Sequence, residues 1–254
     1  SECPEMSGDS GPTGGARLPE EEQKQPSSGG RHHDPPSAPR RRSLLSFFNL
    51  LSLTITVAFP AIGLISFGDL AFVAFAFIYV YLFSKVAFPS LGPSAGQRVF
   101  DRNNRLLRVY MLASAVIGLF LPIAYILSGI FDGDSEGIKA AAAHLFLLAA
   151  QVLGEGVVAW GQFSIPVFVF VPVFFNSRRI FTILEWLRAE MGKAGEEHGG
   201  SRWKVFAGRA LAVANMAFWS FNLFGFLLPV YLPRAFKKYY LGHCNSNDDD
   251  KRGS

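Results

Sequence analysis

Apolar residues run in unbroken blocks along most of this chain, and the polar residues between them come in short clusters. The blocks cover 44–66, 70–88, 106–131, 140–160 and 205–232, with a shorter one at 163–175 that contains Pro166 and Pro172. A helix needs about 20 apolar residues to cross roughly 30 Å of hydrocarbon, and five blocks reach or near that length. Each block is apolar all round. That excludes a transmembrane barrel, whose strands alternate lipid-facing and lumen-facing residues. One such block fits the buried helix of a soluble domain, but five between 44 and 232 do not. The pattern predicts an all-α, polytopic helical membrane protein with five or six transmembrane helices, the first two joined at a Phe67-Gly68-Asp69 turn.

Charge sharpens this picture. Only 17% of the residues are charged, against about 25% in soluble domains, and they gather between the blocks because an ion at membrane depth costs several kcal/mol. Lys and Arg mark the cytosolic side. Arg40, Arg41 and Arg42 precede the first block, 66–70 carries only Asp69, and 85–108 has five basic residues against Asp101. The 132–139 connection has Asp132, Asp134 and Glu136 against Lys139. This alternation places the N-terminus in the cytosol and the Asp-rich connection outside or in a lumen. The basic 178–209 stretch and the flank Arg234, Lys237 and Lys238 then compete for the cytosol, with one span between them. Six spans are preferred, because long apolar runs are hard to leave unspanned and paired helices insert readily as hairpins. The C-terminus is then cytosolic.

The ends read differently. Residues 1–43 are hydrophilic and rich in Gly, Pro and Ser, a disordered-tail composition without a cleavable signal, so the first span acts as the insertion signal. Residues 44–240 form the membrane domain, and 241–254 a second disordered tail. Its Lys251 and Arg252 have the spacing of a receptor-read signal for return to the endoplasmic reticulum. Cys3 and Cys244 lie in the tails and have no metal or disulfide spacing. The net charge of +4 sits beside apolar spans and not in a basic stripe interleaved with aromatics. The partner it implies is therefore the lipid bilayer, and nucleic acid is excluded.

Within the blocks, Glu155 is the ionisable group lying clearly inside an apolar run. His144, Gln151 and Glu155 are spaced i+7 and i+4 on one helix face, which makes them candidates for a proton relay or cation site, or for pairing with Arg209 or a basic residue of 178–188. In the last block Asn215 and Asn222 recur at i+7 with Gly208, a seam suited to hydrogen bonds between helices or to lining a cavity. Residues 177–190 read as a separate amphipathic helix lying in the interface. Its Ile180, Ile183, Leu184 and Leu187 form the buried face, and Arg178, Arg179, Arg188 and Trp186 meet lipid headgroups. No metalloprotease, nucleophile-elbow or phosphate-loop motif occurs, so no catalytic residue, cofactor or metal is assigned.

Three strings carry a resemblance: F-P-A-I-G-L-I-S-F-G-D-L at 59–70, N-S-R-R-I-F-T-I-L-E-W-L-R at 176–188, and the stretch 208–240 that opens G-R-A-L-A-V-A-N. Together they resemble a family of plant multi-pass membrane proteins defined by a domain of unknown function, over roughly 44–240. The resemblance implies a plant source and a membrane location and carries no activity. A weaker similarity, short spans followed by an S-R-R helix, is to membrane-shaping proteins of the endoplasmic reticulum and nuclear envelope. The expected role is non-enzymatic: endomembrane organisation, or a subunit assembling with other membrane proteins or with copies of itself. The endoplasmic reticulum is favoured over the plasma membrane. The alternative is a small-solute or proton-coupled carrier that uses Glu155.

Overall fold

A computed structural model describes residues 39–89, 105–132, 135–161, 163–193 and 202–252. Residues 1–38 of the N-terminal tail, with Cys3, lie outside the described residues, as do 133–134 of the Asp-rich connection. Among the described residues every regular element is helical: α1 (Pro39–Ala61), α2 (Phe67–Val86), α3 (Arg105–Ala115), α4 (Leu121–Asp132), α5 (Ser135–Trp160), α6 (Ile165–Gly192), α7 (Arg202–Ser220) and α8 (Leu232–Arg252). A π-helical stretch, Val116–Phe120, joins α3 to α4 without a break, and a longer one, Phe221–Tyr231, joins α7 to α8. Five rods are long and apolar enough to cross a membrane: Phe67–Val86, Arg108–Phe131, Ser135–Trp160, Ile165–Gly192 and Trp203–Gly242. Of α1, the stretch Phe47–Ala61 forms a further apolar helical segment.

The 163–175 block is thus not the short element of its own that its length suggests. Residues 163–175 and 177–190 belong to one helix, α6, about 42 Å long at 1.5 Å per residue. Pro166 sits in its first turn, where the missing N–H is an orphan in any case. Pro172 lies inside the helix without ending it, as transmembrane helices tolerate when neighbouring groups satisfy the freed carbonyl.

The first turn also differs from expectation. α1 ends at Ala61, where Leu64 N–H donates to Phe59 O and Gly63 N–H to Pro60 O, with Gly63 at φ 74°. This is a Schellman ending, and it requires a residue that tolerates positive φ. Ser66 then caps α2: its Oγ accepts from Asp69 N–H (3.1 Å) and its hydroxyl donates to the Asp69 carboxylate (2.7 Å). The turn therefore falls at 62–66, before Phe67-Gly68-Asp69.

α5 runs through the middle of the bundle, with Ala141, Ala142, Leu145, Leu147, Ala149 and Ala150 wholly or almost wholly buried. Its small side chains let α1, α4 and α6 approach closely. α6 lies antiparallel to α5, so that Trp186 faces His144 and Arg179 faces Gln151. α2 lies antiparallel to α6 along an aromatic ladder: Phe72 on Phe174 (5.1 Å between centroids), Tyr79 on Phe174 (5.8 Å) and Phe83 on Phe170 (4.8 Å). Ser164 Oγ donates to Phe88 O (2.8 Å) at the far end. α1 does not fold back on α2. Phe48 meets Phe120, next to the Gly118–His144 contact, while Asp69 meets Arg178 at the level of Gln151. Five linking residues reach at most about 17 Å, so the end of α1 lies near the level of the Asp69–Arg178 contact.

The outer faces are apolar, with Phe75, Ile78, Leu82, Met111, Val213 and Phe224 exposed, as lipid-facing positions require. Phe131, Trp160 and Trp203, the last two at helix ends, are also exposed and suit the membrane–water interface. α8 runs on to Arg252, past residue 240.

Candidate functional site

Buried polar side chains line the contacts among α5, α6 and α7. On α6 the fully buried positions include Asn176, Arg179, Ile183, Trp186 and Glu190, spaced three and four apart along one face. This corrects the interfacial assignment of Arg179 and Trp186, both 0% exposed. Ile180, Leu184 and Leu187 are only half-buried and Phe181 is exposed. In a bilayer the apolar side chains face lipid without penalty, while Arg and Asn gain by turning inward to find partners. Arg188 remains exposed. Arg178 reaches sideways to α2, donating to Asp69 Oδ1 from Nε (3.1 Å) and Nη2 (2.9 Å).

Arg179 stands at the centre. Its Nη2 donates to the side-chain carbonyl of Gln151 and approaches Leu147 O at 3.5 Å. Gln151 in turn donates from Nε2 to Glu155 Oε1 (2.7 Å). The charges of Arg179 and Glu155 therefore communicate through one amide, and Arg179 makes no direct ion pair among the described residues. The guanidinium lies over the Trp219 ring, 4.2 Å from its centroid. That geometry adds a cation–π attraction that strengthens when both partners are desolvated.

Trp219 organises the rest. Asn176 Nδ2 donates to its carbonyl (3.2 Å), and its own Nε1 donates to Asn215 Oδ1 (3.3 Å). A Cβ on Gly118 would lie 2.6 Å from its ring, so this position must lack one. The Gly118 carbonyl accepts from His144 Nε2 (3.0 Å). Gly118 lies in a π-helical stretch, a feature that recurs at functional sites.

Of the sequence candidates, His144, Gln151 and Glu155 thus lie on one face of α5. Gln151 and Glu155 bond to each other, and His144 sits two turns away against Trp186 and Trp219. Asn222 bonds across to Tyr110 of α3. Asn215 instead turns back along its own helix to Leu211 O (3.0 Å). Arg209 does not meet Glu155; its Nε donates to Glu190 O (3.0 Å). Glu190, buried at 1% exposure, accepts from Tyr125 of α4 and pairs with Lys193. Gly208 makes room for that carboxylate, since a Cβ there would lie 2.2 Å from Oε2.

Sequence reasoning missed Arg179, Glu190, Asn176, Trp219 and Tyr110 as interior groups. The three-four spacing of Asn176, Arg179, Ile183, Trp186 and Glu190 was the signal, and it becomes visible once α6 is read as one helix. Among the described residues no group of three His, Cys, Asp or Glu is placed to hold a metal.

Residues 45–240 match a family described as Domain of unknown function (DUF7733). No curated protein and no solved structure matches the chain.

Proposed function

From the premise that this chain belongs to the DUF7733 family, a domain of unknown function, we propose that it is a non-enzymatic endomembrane protein. In this reading it acts in membrane organisation or as a subunit of a membrane complex. The observation that carries the proposal is the closure of the interior polar groups on one another: Arg179 on Gln151 and Trp219, Gln151 on Glu155, Asn176 on Trp219, and Tyr110 on Asn222. Hydrogen bonds of this kind hold transmembrane helices together at roughly 0.6–2 kcal/mol each. Their effect here is to set the register of α3, α5, α6 and α7 and to leave the outer apolar faces for lipid, other membrane proteins or a second copy. The endoplasmic reticulum is the favoured membrane, and a plant source comes with the resemblance of the 59–70, 176–188 and 208–240 strings.

A carrier needs a cavity that reaches its coupling residue. The cavity between α2, α5 and α6 measures about 80 Å³ and is lined by apolar groups such as Ala76, Phe77, Val80 and Val171. That is smaller than the roughly 150 Å³ that admits a benzene molecule, and Glu155 is not in its lining. Replacing Glu155 by Gln separates the two readings. Assembly measured by native electrophoresis, localisation and vesicle solute flux should all be unchanged. Lost flux with intact assembly and localisation would establish the carrier instead.

A further inference from the structure

Four fully buried side chains in the polar seam carry hydrogen-bonding atoms with no protein partner among the described residues. These atoms are Arg179 Nε and Nη1, Asn176 Oδ1, His144 Nδ1 and Trp186 Nε1. They sort into two complementary sets. Asn176 and Arg179 are three residues apart on α6, and both flank Trp219, one at its carbonyl (3.2 Å) and the other over its ring (4.2 Å). Asn176 Oδ1 accepts and the guanidinium N–H groups donate. His144 and Trp186 form the second set, their rings 6.3 Å apart and inclined by 26°. Because His144 Nε2 donates to Gly118 O, its Nδ1 is left as an acceptor, whereas indole Nε1 only donates. A buried group left unmet is destabilising. Each set leaves over one acceptor and at least one donor, which calls for a small ligand that both gives and receives a hydrogen bond.

We propose that two ordered waters occupy the seam, one bridging Asn176 Oδ1 to Arg179 and the other bridging His144 Nδ1 to Trp186 Nε1. An anion would suit Arg179 and Trp186 but would face the lone pairs of Asn176 and His144. A cation is repelled by the guanidinium, the device by which pore-lining arginines exclude protons and cations. The site therefore takes a neutral donor–acceptor molecule, of which water is the smallest.

Radiolytic footprinting tests this, because hydroxyl radicals produced by a microsecond X-ray pulse arise from water itself and mark buried side chains only where water is bound. With the full chain in phosphatidylcholine nanodiscs, Trp186 and Trp219 should oxidise several-fold faster than Phe146, each rate normalised to that of the denatured chain. Phe146 is the fair control, as it is 1% exposed on the central helix α5. Equal normalised rates at all three overturn the proposal, whatever the variants do. Asn176→Leu should bring Trp219 down to the Phe146 rate and leave Trp186 unchanged. Trp186→Phe should lower oxidation at His144. A folded Asn176→Leu protein with undiminished Trp219 oxidation overturns the first bridge, and undiminished His144 oxidation in Trp186→Phe overturns the second.

Discussion

At the scale of single residues, the decisive group is Gln151. An amide has one acceptor and two donors, and here it presents the acceptor to Arg179 and a donor to Glu155. A direct Arg–Glu contact would demand a closer approach of α6 to the next turn of α5; the amide carries the attraction across one more side chain. Replacing Gln151 by Leu keeps the volume and removes both bonds, leaving a buried guanidinium without its partner. Losing a buried hydrogen bond to a charged group in this way costs about 1.5–3 kcal/mol. We expect Gln151→Leu to lose stability on that scale in detergent-based unfolding. Combined with Glu155→Gln, the loss should be smaller than the sum of the two single changes, because both act through the same chain of bonds. Strict additivity would mean that Glu155 is independent of Arg179.

At the scale of elements, the joint between α1 and α2 shows how local chemistry sets a long-range contact. The Ser66–Asp69 reciprocal cap starts α2 and aims the Asp69 carboxylate at Arg178. One cluster thereby fixes both a helix start and the α2–α6 packing. Ser66→Ala removes the cap alone and should cost about 1 kcal/mol. Asp69→Ala removes the cap's return bond and the Arg178 partner together, and should cost more, about 2 kcal/mol. That figure is held down because the Arg178 side chain is 32% exposed and exposed ion pairs are worth little. Urea or detergent titration of the two variants gives the order directly. A larger loss for Ser66→Ala would show that the Arg178 contact contributes nothing.

At the scale of the whole molecule, the sense of α1 decides which side of the membrane each end occupies. Five stretches are long and apolar enough to cross a membrane, and we expect α1 and α2 together to make one passage, so that the chain crosses five times. On that expectation the basic flanks around α2–α3 and at 234–238 face the cytosol and the Asp-rich connection lies outside, as the positive-inside rule asks. The arginines at 40–42 and the basic residues of 193–209 are then expected on the same side as the Asp-rich connection, against the rule for these two flanks. Glycosylation acceptors inserted one at a time should therefore be modified beside residues 30 and 134 and unmodified after residue 254. Modification at 134 alone would mean that α1 makes a separate passage in the cell.

The lengths of the apolar blocks and the clustering of charge were enough to specify an all-helical, many-span protein, because bilayer thickness and the cost of a buried ion act on each segment separately. The face of α5 bearing His144, Gln151 and Glu155 was legible for the same reason: helical period is local. The sequence alone did not decide which polar residues of 177–190 turn inward. An amphipathic pattern names two faces but not the medium each one meets, and inside a bilayer bundle the assignment familiar from water is reversed. Only the packing of α6 against α5 and α7 brought Arg179 beneath Trp219 and joined it through Gln151 to Glu155. The contacts of Arg179 with Gln151 and with Trp219 link residues 28 and 40 apart in the chain, beyond the reach of any periodicity.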